Sequence, residues 1–69
     1  MSESVHTVTG MTCGHCVSSV TEEVSRLDGV TNVSVDLPTG QVTITSEHPL
    51  PLDDVRAAVA EAGYELAPR

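Results

Sequence analysis

The chain contains two cysteines, Cys13 and Cys16, which stand two residues apart in the stretch GMTCGHCVSSV, residues 10 to 20. A Cys-x-x-Cys pair occurs in dithiol–disulfide redox centres, in halves of structural zinc sites and in small open metal clamps. The choice among these three chemistries depends on where the pair lies in the fold and on the other ligands that the chain can bring to it.

The residues around the pair predict that Cys13 lies on a loop and Cys16 at or just inside the first turn of a helix. Gly10 ends a β-branched segment before the pair, and helical spacing of apolar residues begins after it. Unpaired N–H groups and the helix dipole stabilise negative charge at such a position. Thiols there have lowered pKa values, so both sulfurs can bind metal near neutral pH. Two thiolates favour soft ions, Cu(I) above all, with Zn(II) and Hg(II) as competitors.

The zinc and redox interpretations fit the rest of the chain less well. A structural zinc site needs four ligands, and the chain offers two Cys and three His. We expect His6 on a strand and His48 in a distant loop, which disfavours a four-ligand site within one chain. A thioredoxin-like centre has the right motif at a helix start, but the order of strands and helices is wrong for that fold.

Two neighbours of the cysteines are further candidates for the site. The Met11 thioether could ligate Cu(I), but methionine is a common flexible core residue, and we expect a buried support under the loop. His15, between the cysteines, could favour the thiolates when protonated or donate a ring nitrogen to metal when neutral. We expect a tuning role for His15 rather than a primary ligand, and an exposed side chain of no consequence is the alternative.

Two amphipathic helices are predicted. The first ends at Asp28-Gly29, where Gly29 suits a left-handed cap. The second begins at Pro51, has two aspartates at the positive end of its dipole and ends at Gly63. The apolar stripes are Val17, Val20, Val24 and Leu27 in the first helix, and Val55, Ala58, Val59 and Ala62 in the second.

Four strands are predicted. Residues 4–9 are rich in β-branched residues, and residues 30–37 and 41–46 alternate between apolar and polar positions. Pro38 and Gly40 make a turn between the latter two strands, which therefore form a hairpin. Tyr64 and Leu66 lie on a short last strand.

The resulting order β-α-β-β-α-β predicts an α+β fold, the ferredoxin-like sandwich of a four-stranded antiparallel sheet with two helices on one face. In this arrangement the second hairpin strand lies between the first two strands of the chain, and the last strand flanks the first. We expect residues 1–69 to form one domain. The core must consist of Val, Leu, Ile and Ala, because there is no Phe or Trp.

Charge and hydropathy restrict the function. The chain has ten Asp and Glu residues and three Arg residues, which give a formal net charge of −7. This charge disfavours nucleic acid and anionic lipid as partners. It favours a basic protein or a cation. No apolar run approaches the roughly 20 residues of a membrane span. The start MSESVHTVTG has no signal-peptide pattern, so we expect a cytoplasmic protein. In the cytoplasm a close cysteine pair is more often metal-binding or catalytic than a structural disulfide.

Four segments resemble the heavy-metal-associated domain: GMTCGHC at 10–16, GV at 29–30, V-x-V-D at 33–36 and EAGY at 61–64. The resemblance covers nearly the whole chain and is strongest to bacterial cytoplasmic copper chaperones, relatives of the metal-binding modules of copper-exporting P-type ATPases. It implies that Cys13 and Cys16 hold Cu(I) at an open surface where a partner's cysteines can displace them. It also implies that Tyr64 lies beside the metal loop, residues 10–16, and shields it. His6 departs from the aliphatic residue that is usual in relatives.

The leading hypothesis is a non-enzymatic Cu(I) carrier for copper homeostasis and ion transport. It would deliver copper to the cytosolic domain of a P-type ATPase, with a copper-sensing repressor and a copper-bridged second copy as further partners. One alternative is a small dithiol–disulfide oxidoreductase. Another is a regulatory metal-binding module of a P-type ATPase, which the start of the chain at Met1 disfavours.

Overall fold

The structure, a computed structural model, describes residues 1–12 and 14–67. The described strands form one antiparallel sheet in the order β2-β3-β1-β4. The elements are β1 (Ser2–Thr9), α1 (Gly14–Ser25), β2 (Val30–Asp36), β3 (Gln41–Ser46), α2 (Leu52–Glu61) and β4 (Glu65–Leu66). The predicted ferredoxin-like sandwich is confirmed, including the position of β3 between β1 and β2.

The strand directions bring three connections to the same end of the sheet. β1 and β2 both run antiparallel to β3, so they are parallel to each other and finish at one end. β4 runs antiparallel to β1 and begins at that same end. The loop after β1, the turn after β2 and the loop before β4 are therefore neighbours, although they are far apart in the sequence.

The core lies between the sheet and the two helices. Alternate residues of β3 point inward, so Val42, Ile44 and Ser46 are buried while Gln41 is exposed. Both helices turn a 3.6-residue stripe toward these strands. The buried apolar cluster is Val8, Val20, Val24, Val42, Ile44, Val55, Ala58 and Val59. The predicted core of aliphatic residues is thus confirmed, with valine predominant and, among the described residues, no buried leucine.

Several predicted boundaries were wrong by one to a few residues; α2, for example, spans Leu52–Glu61 instead of running from Pro51 to Gly63. α1 ends at Ser25 rather than at Asp28-Gly29, because the N–H groups of Arg26 and Leu27 bond three residues back, to Glu23 and Val24, and tighten the chain into a turn. Gly29, at φ +88°, belongs to the connection into β2. β1 begins at Ser2, since Ser2 pairs with Ser46, and Tyr64 precedes β4 instead of lying within it.

The described helices have 12 and 10 residues, and none of them has the length and apolar character that a membrane crossing requires.

We expect Ile44→Ala to lower the free energy of unfolding by about 2–5 kcal/mol, because it removes a fully buried side chain from the centre of the sheet. Val5→Ala is the matched control, since Val5 is 54% exposed and its truncation should stay within about 0.5 kcal/mol. Urea unfolding of the reduced, metal-free protein, followed by circular dichroism, measures both. Equal losses at the two positions would contradict this description of the core.

Candidate metal centre

Cys16 lies at the start of α1, directly after the connection from β1. α1 begins at Gly14, so Cys16 is its third residue. Cys16 is only 8% exposed and lies on the same face of α1 as Val20 and Val24, four and eight residues further on. The Cys16 sulfur is thus held by a helix that is packed into the core. Cys13 lies outside the described residues.

The start of α1 favours an anionic sulfur. The first four N–H groups of an α-helix have no acceptor within the helix, and the dipole adds positive potential there. No acidic residue occupies the first turn of α1, whereas α2 begins with Asp53 and Asp54. In that first turn Cys16 is the side chain able to become negative, and no carboxylate competes with it for the N–H groups.

Tyr64 contacts the residue that opens the metal loop. Gly10, at φ +88°, turns the chain away from β1, and a Cβ at Gly10 would lie 3.4 Å from Cδ1 of Tyr64. The half-buried Tyr64 side chain packs against the core cluster. Its N–H group donates to the carbonyl oxygen of Val59 at 3.1 Å, which fixes the residue just beyond α2. The ring therefore connects the end of α2 to the start of the metal loop.

Met11 and His15 lie in opposite environments. Met11 is half-buried and packs against the core cluster, whereas His15, the second residue of α1, is exposed. The thioether thus contributes to the packing beneath the loop, and the imidazole is accessible from solvent. This arrangement suits the predicted support role of Met11 and leaves His15 available to an approaching molecule.

The end of β1 is held from both sides, a feature that sequence reasoning missed. The Val8 N–H group donates to the carbonyl oxygen of Gly40 at 2.8 Å, and Val8 pairs with Leu66 of β4 on the other side. The Thr9 hydroxyl donates to the carbonyl oxygen of Glu65 at 3.2 Å. The turn signal at Gly40 was visible in the sequence, but its partner on β1 was not.

The two other histidines lie outside the metal loop. His6 is on β1 opposite Val42, and His48 follows β3 at the far end of the sheet. There the His48 carbonyl oxygen accepts a hydrogen bond from the buried Ser46 hydroxyl at 2.6 Å. Within residues 1–12 and 14–67, no group of three or more His, Cys, Asp or Glu side chains is placed to hold a metal ion.

Known proteins are similar to this chain along nearly its whole length. The family model for the heavy-metal-associated domain matches residues 5–65. Copper chaperone CopZ of Staphylococcus aureus is 34% identical over 67 residues, which cover 96% of this chain and 98% of that relative. The solved structure of a CopZ metallochaperone has a TM-score of 0.88 at 33% identity and covers 96% of this chain and 100% of its own. A copper-binding domain from HMA7, a P-type ATPase, has a TM-score of 0.87 at 28% identity, covering 97% of this chain and 92% of its own.

We expect Met11→Leu to leave Cu(I) affinity unchanged and to alter the free energy of unfolding by less than about 1.5 kcal/mol, because leucine conserves the packed volume but lacks the sulfur. Met11→Ala is the control that should cost stability through lost packing. Competition with a chromogenic Cu(I) chelator and urea unfolding measure the two properties. A large loss of affinity in a stable Met11→Leu variant would make Met11 a ligand.

Proposed function

The chain belongs to the heavy-metal-associated domain family, and on this premise we propose that it is a Cu(I) carrier that delivers copper to a copper-transporting P-type ATPase by thiolate exchange. The observation that carries the proposal is Cys16, which is buried in a first turn of α1 that has no carboxylate and follows Cys13 by three positions in the sequence. The similarity to proteins named copper chaperones over 96% of the chain supports copper as the cargo.

The proposed ligands are the thiolates of Cys13 and Cys16. Sulfur ligands favour soft ions, and two thiolates suit the low coordination numbers that Cu(I) accepts. Cys16 supplies a sulfur whose position is set by the helix and the core. Cys13, three positions earlier in the sequence, supplies the second sulfur in this proposal.

The low coordination number explains how a carrier can hold copper and still release it. A partner thiolate adds to the two-coordinate ion and gives a three-coordinate intermediate, after which one thiolate of this chain leaves. Repetition of the step moves Cu(I) completely to the partner. The metal keeps its oxidation state throughout, and it never passes through water as a free ion.

The proposed acceptor is the cytosolic metal-binding domain of the ATPase, and the formal net charge of −7 suits a basic docking surface on it. Asp36 and Glu65 lie at the end of the sheet that carries the metal loop, since they belong to the ends of β2 and β4 nearest to it. Salt should therefore slow the encounter. A copper-sensing repressor is a further acceptor in this proposal, and the reducing cytoplasm is the compartment that keeps both thiols available.

The double variant Cys13→Ser/Cys16→Ser should lose Cu(I) binding, because hydroxyl groups are poor ligands for a soft ion. Anaerobic competition with a chromogenic chelator measures the affinity, and circular dichroism checks that the variant folds. Ser18→Ala, an exposed change on α1, is the control and should bind as the wild type does. Tight binding by the double variant would overturn the assignment of the ligands.

His15→Ala should retain one Cu(I) per monomer and should reduce the fraction of copper-bridged dimers. The exposed ring at the second position of α1 can reach an ion held by a neighbouring molecule, whereas the primary ligands in this proposal are sulfurs. Native mass spectrometry during anaerobic Cu(I) titration gives stoichiometry and oligomeric state together. Ser18→Ala again serves as the control, and loss of the monomer's copper in His15→Ala would make His15 a primary ligand.

The second candidate is a small dithiol–disulfide oxidoreductase, favoured by a Cys-x-x-Cys pair at a helix N-terminus. Insulin reduction by the dithiol form, with glutathione as the reductant, separates the two activities. Multiple turnovers would support the oxidoreductase, and the absence of turnover together with Cu(I) binding would support the carrier.

A further inference from the structure

We propose that the turn between β2 and β3, residues 36–41, fixes the geometry of the metal loop, and that Gly40 is the positioning residue through which it acts. The inference rests on the proposed function in one respect, that the loop after β1 binds metal. It assigns to a segment without any metal ligand the task of setting the relative position of the two sulfurs.

Gly40 lies directly against β1. Its carbonyl oxygen accepts the Val8 N–H group at 2.8 Å, and a Cβ at Gly40 would lie 2.7 Å from the carbonyl oxygen of Val8. Gly40 is buried and has φ +76°, a conformation that L side chains rarely adopt. Only glycine therefore lets the two backbones approach this closely.

The turn itself is tied internally. The Gly40 N–H group donates to the carbonyl oxygen of Asp36 at 2.8 Å, and the Thr39 hydroxyl donates to the Asp36 carboxylate at 3.0 Å. The same hydroxyl accepts the Gln41 N–H group at 3.3 Å. These bonds make the turn a stiff support that can hold Val8 in place.

The position of Val8 matters because the loop is anchored at both ends. Cys16 lies on the buried face of α1, so in this proposal its position depends on the helix and not on the end of the strand. Val8 lies two residues before Gly10, where the chain leaves β1 beside Tyr64. A shift of the strand end at Val8 therefore changes the approach of the loop to Cys16, while the sulfur of Cys16 stays where it is.

The molecule contains a matched control at its other end. Gly29 also has a positive φ, +88°, and a Cβ there would lie 2.5 Å from Nε2 of His48. Alanine is therefore strained at both positions. At Gly29 the obstacle is an exposed ring far from the metal loop, whereas at Gly40 it is the backbone that leads into the loop.

We expect Gly40→Ala and Gly29→Ala both to lower the urea midpoint, and only Gly40→Ala to weaken Cu(I) binding. The expected loss of affinity is about 10- to 100-fold, the range seen when groups that orient metal ligands are removed. Chelator competition is performed where both variants are fully folded. Amide chemical shifts of residues 10–16 in the metal-free proteins report the loop position directly, and these should move in Gly40→Ala only.

A second pair of variants, which removes single hydroxyl groups, tests the proposal if Gly40→Ala does not fold. Thr39→Val removes the hydroxyl that ties the turn, and Thr31→Val removes a comparable exposed hydroxyl, which bonds the carbonyl oxygen of Thr45 at 3.2 Å at the opposite end. Thr39→Val should weaken Cu(I) binding and shift the loop amides, and Thr31→Val should do neither.

Equal Cu(I) affinities and equal loop shifts within each matched pair would overturn the positioning role. A wild-type chain that binds no Cu(I) would instead overturn the proposed function. In that case the amide shifts of the metal-free variants still decide whether the turn positions the loop.

Discussion

The antiparallel pairing of β1 with β3 determines where the metal loop lies and what surrounds it. The paired residues run from Ser2 opposite Ser46 to Thr7 opposite Gln41, and this register brings Val8 level with Gly40. A register slip of one residue would turn Val42 and Ile44 out of the core, so the buried face of β3 enforces the alignment. The position of the loop is thus a consequence of core packing and requires no contact with the metal.

One part of the candidate site is held in place by the fold, and another part faces solvent. Cys16 is placed by α1, and the first turn of that helix has N–H groups without an acceptor inside the helix and no competing carboxylate. The exposed His15 and the negatively charged strand ends lie toward solvent. In the proposed function this division keeps one sulfur in place while the coordination of the ion changes during transfer.

Much of the fold could be predicted because short-range patterns and long-range packing agree in it. The alternation in β3 and the helical stripe of Val20 and Val24 specify the faces that become buried. The end of α1 could not be located in the same way, because Gly29 is a suitable cap residue but the bonds of Arg26 and Leu27 close the helix earlier. Gly29 thus indicated that a turn follows the helix, but it did not indicate at which residue the helix ends.

The candidate site shows the same limit. The Cys-x-x-Cys motif and its flanking residues were enough to predict the candidate metal loop, since their spacing is local. The hydrogen bond from Val8 to Gly40 and the contact of Tyr64 with Gly10 depend on how separate elements pack, so neither follows from the spacing of residues.

The burial of Cys16 has a thermodynamic consequence. A ligand that belongs to the same apolar stripe as Val20 and Val24 couples metal occupancy to the folding equilibrium, because the unfolded chain cannot offer a preformed pair of sulfurs. By mass action, bound metal stabilises the native state. When the free metal concentration is well above the dissociation constant, the gain grows with the logarithm of the ratio of these two quantities. In a chain with so small a core, the cargo would also act as a conditional stabiliser of its carrier.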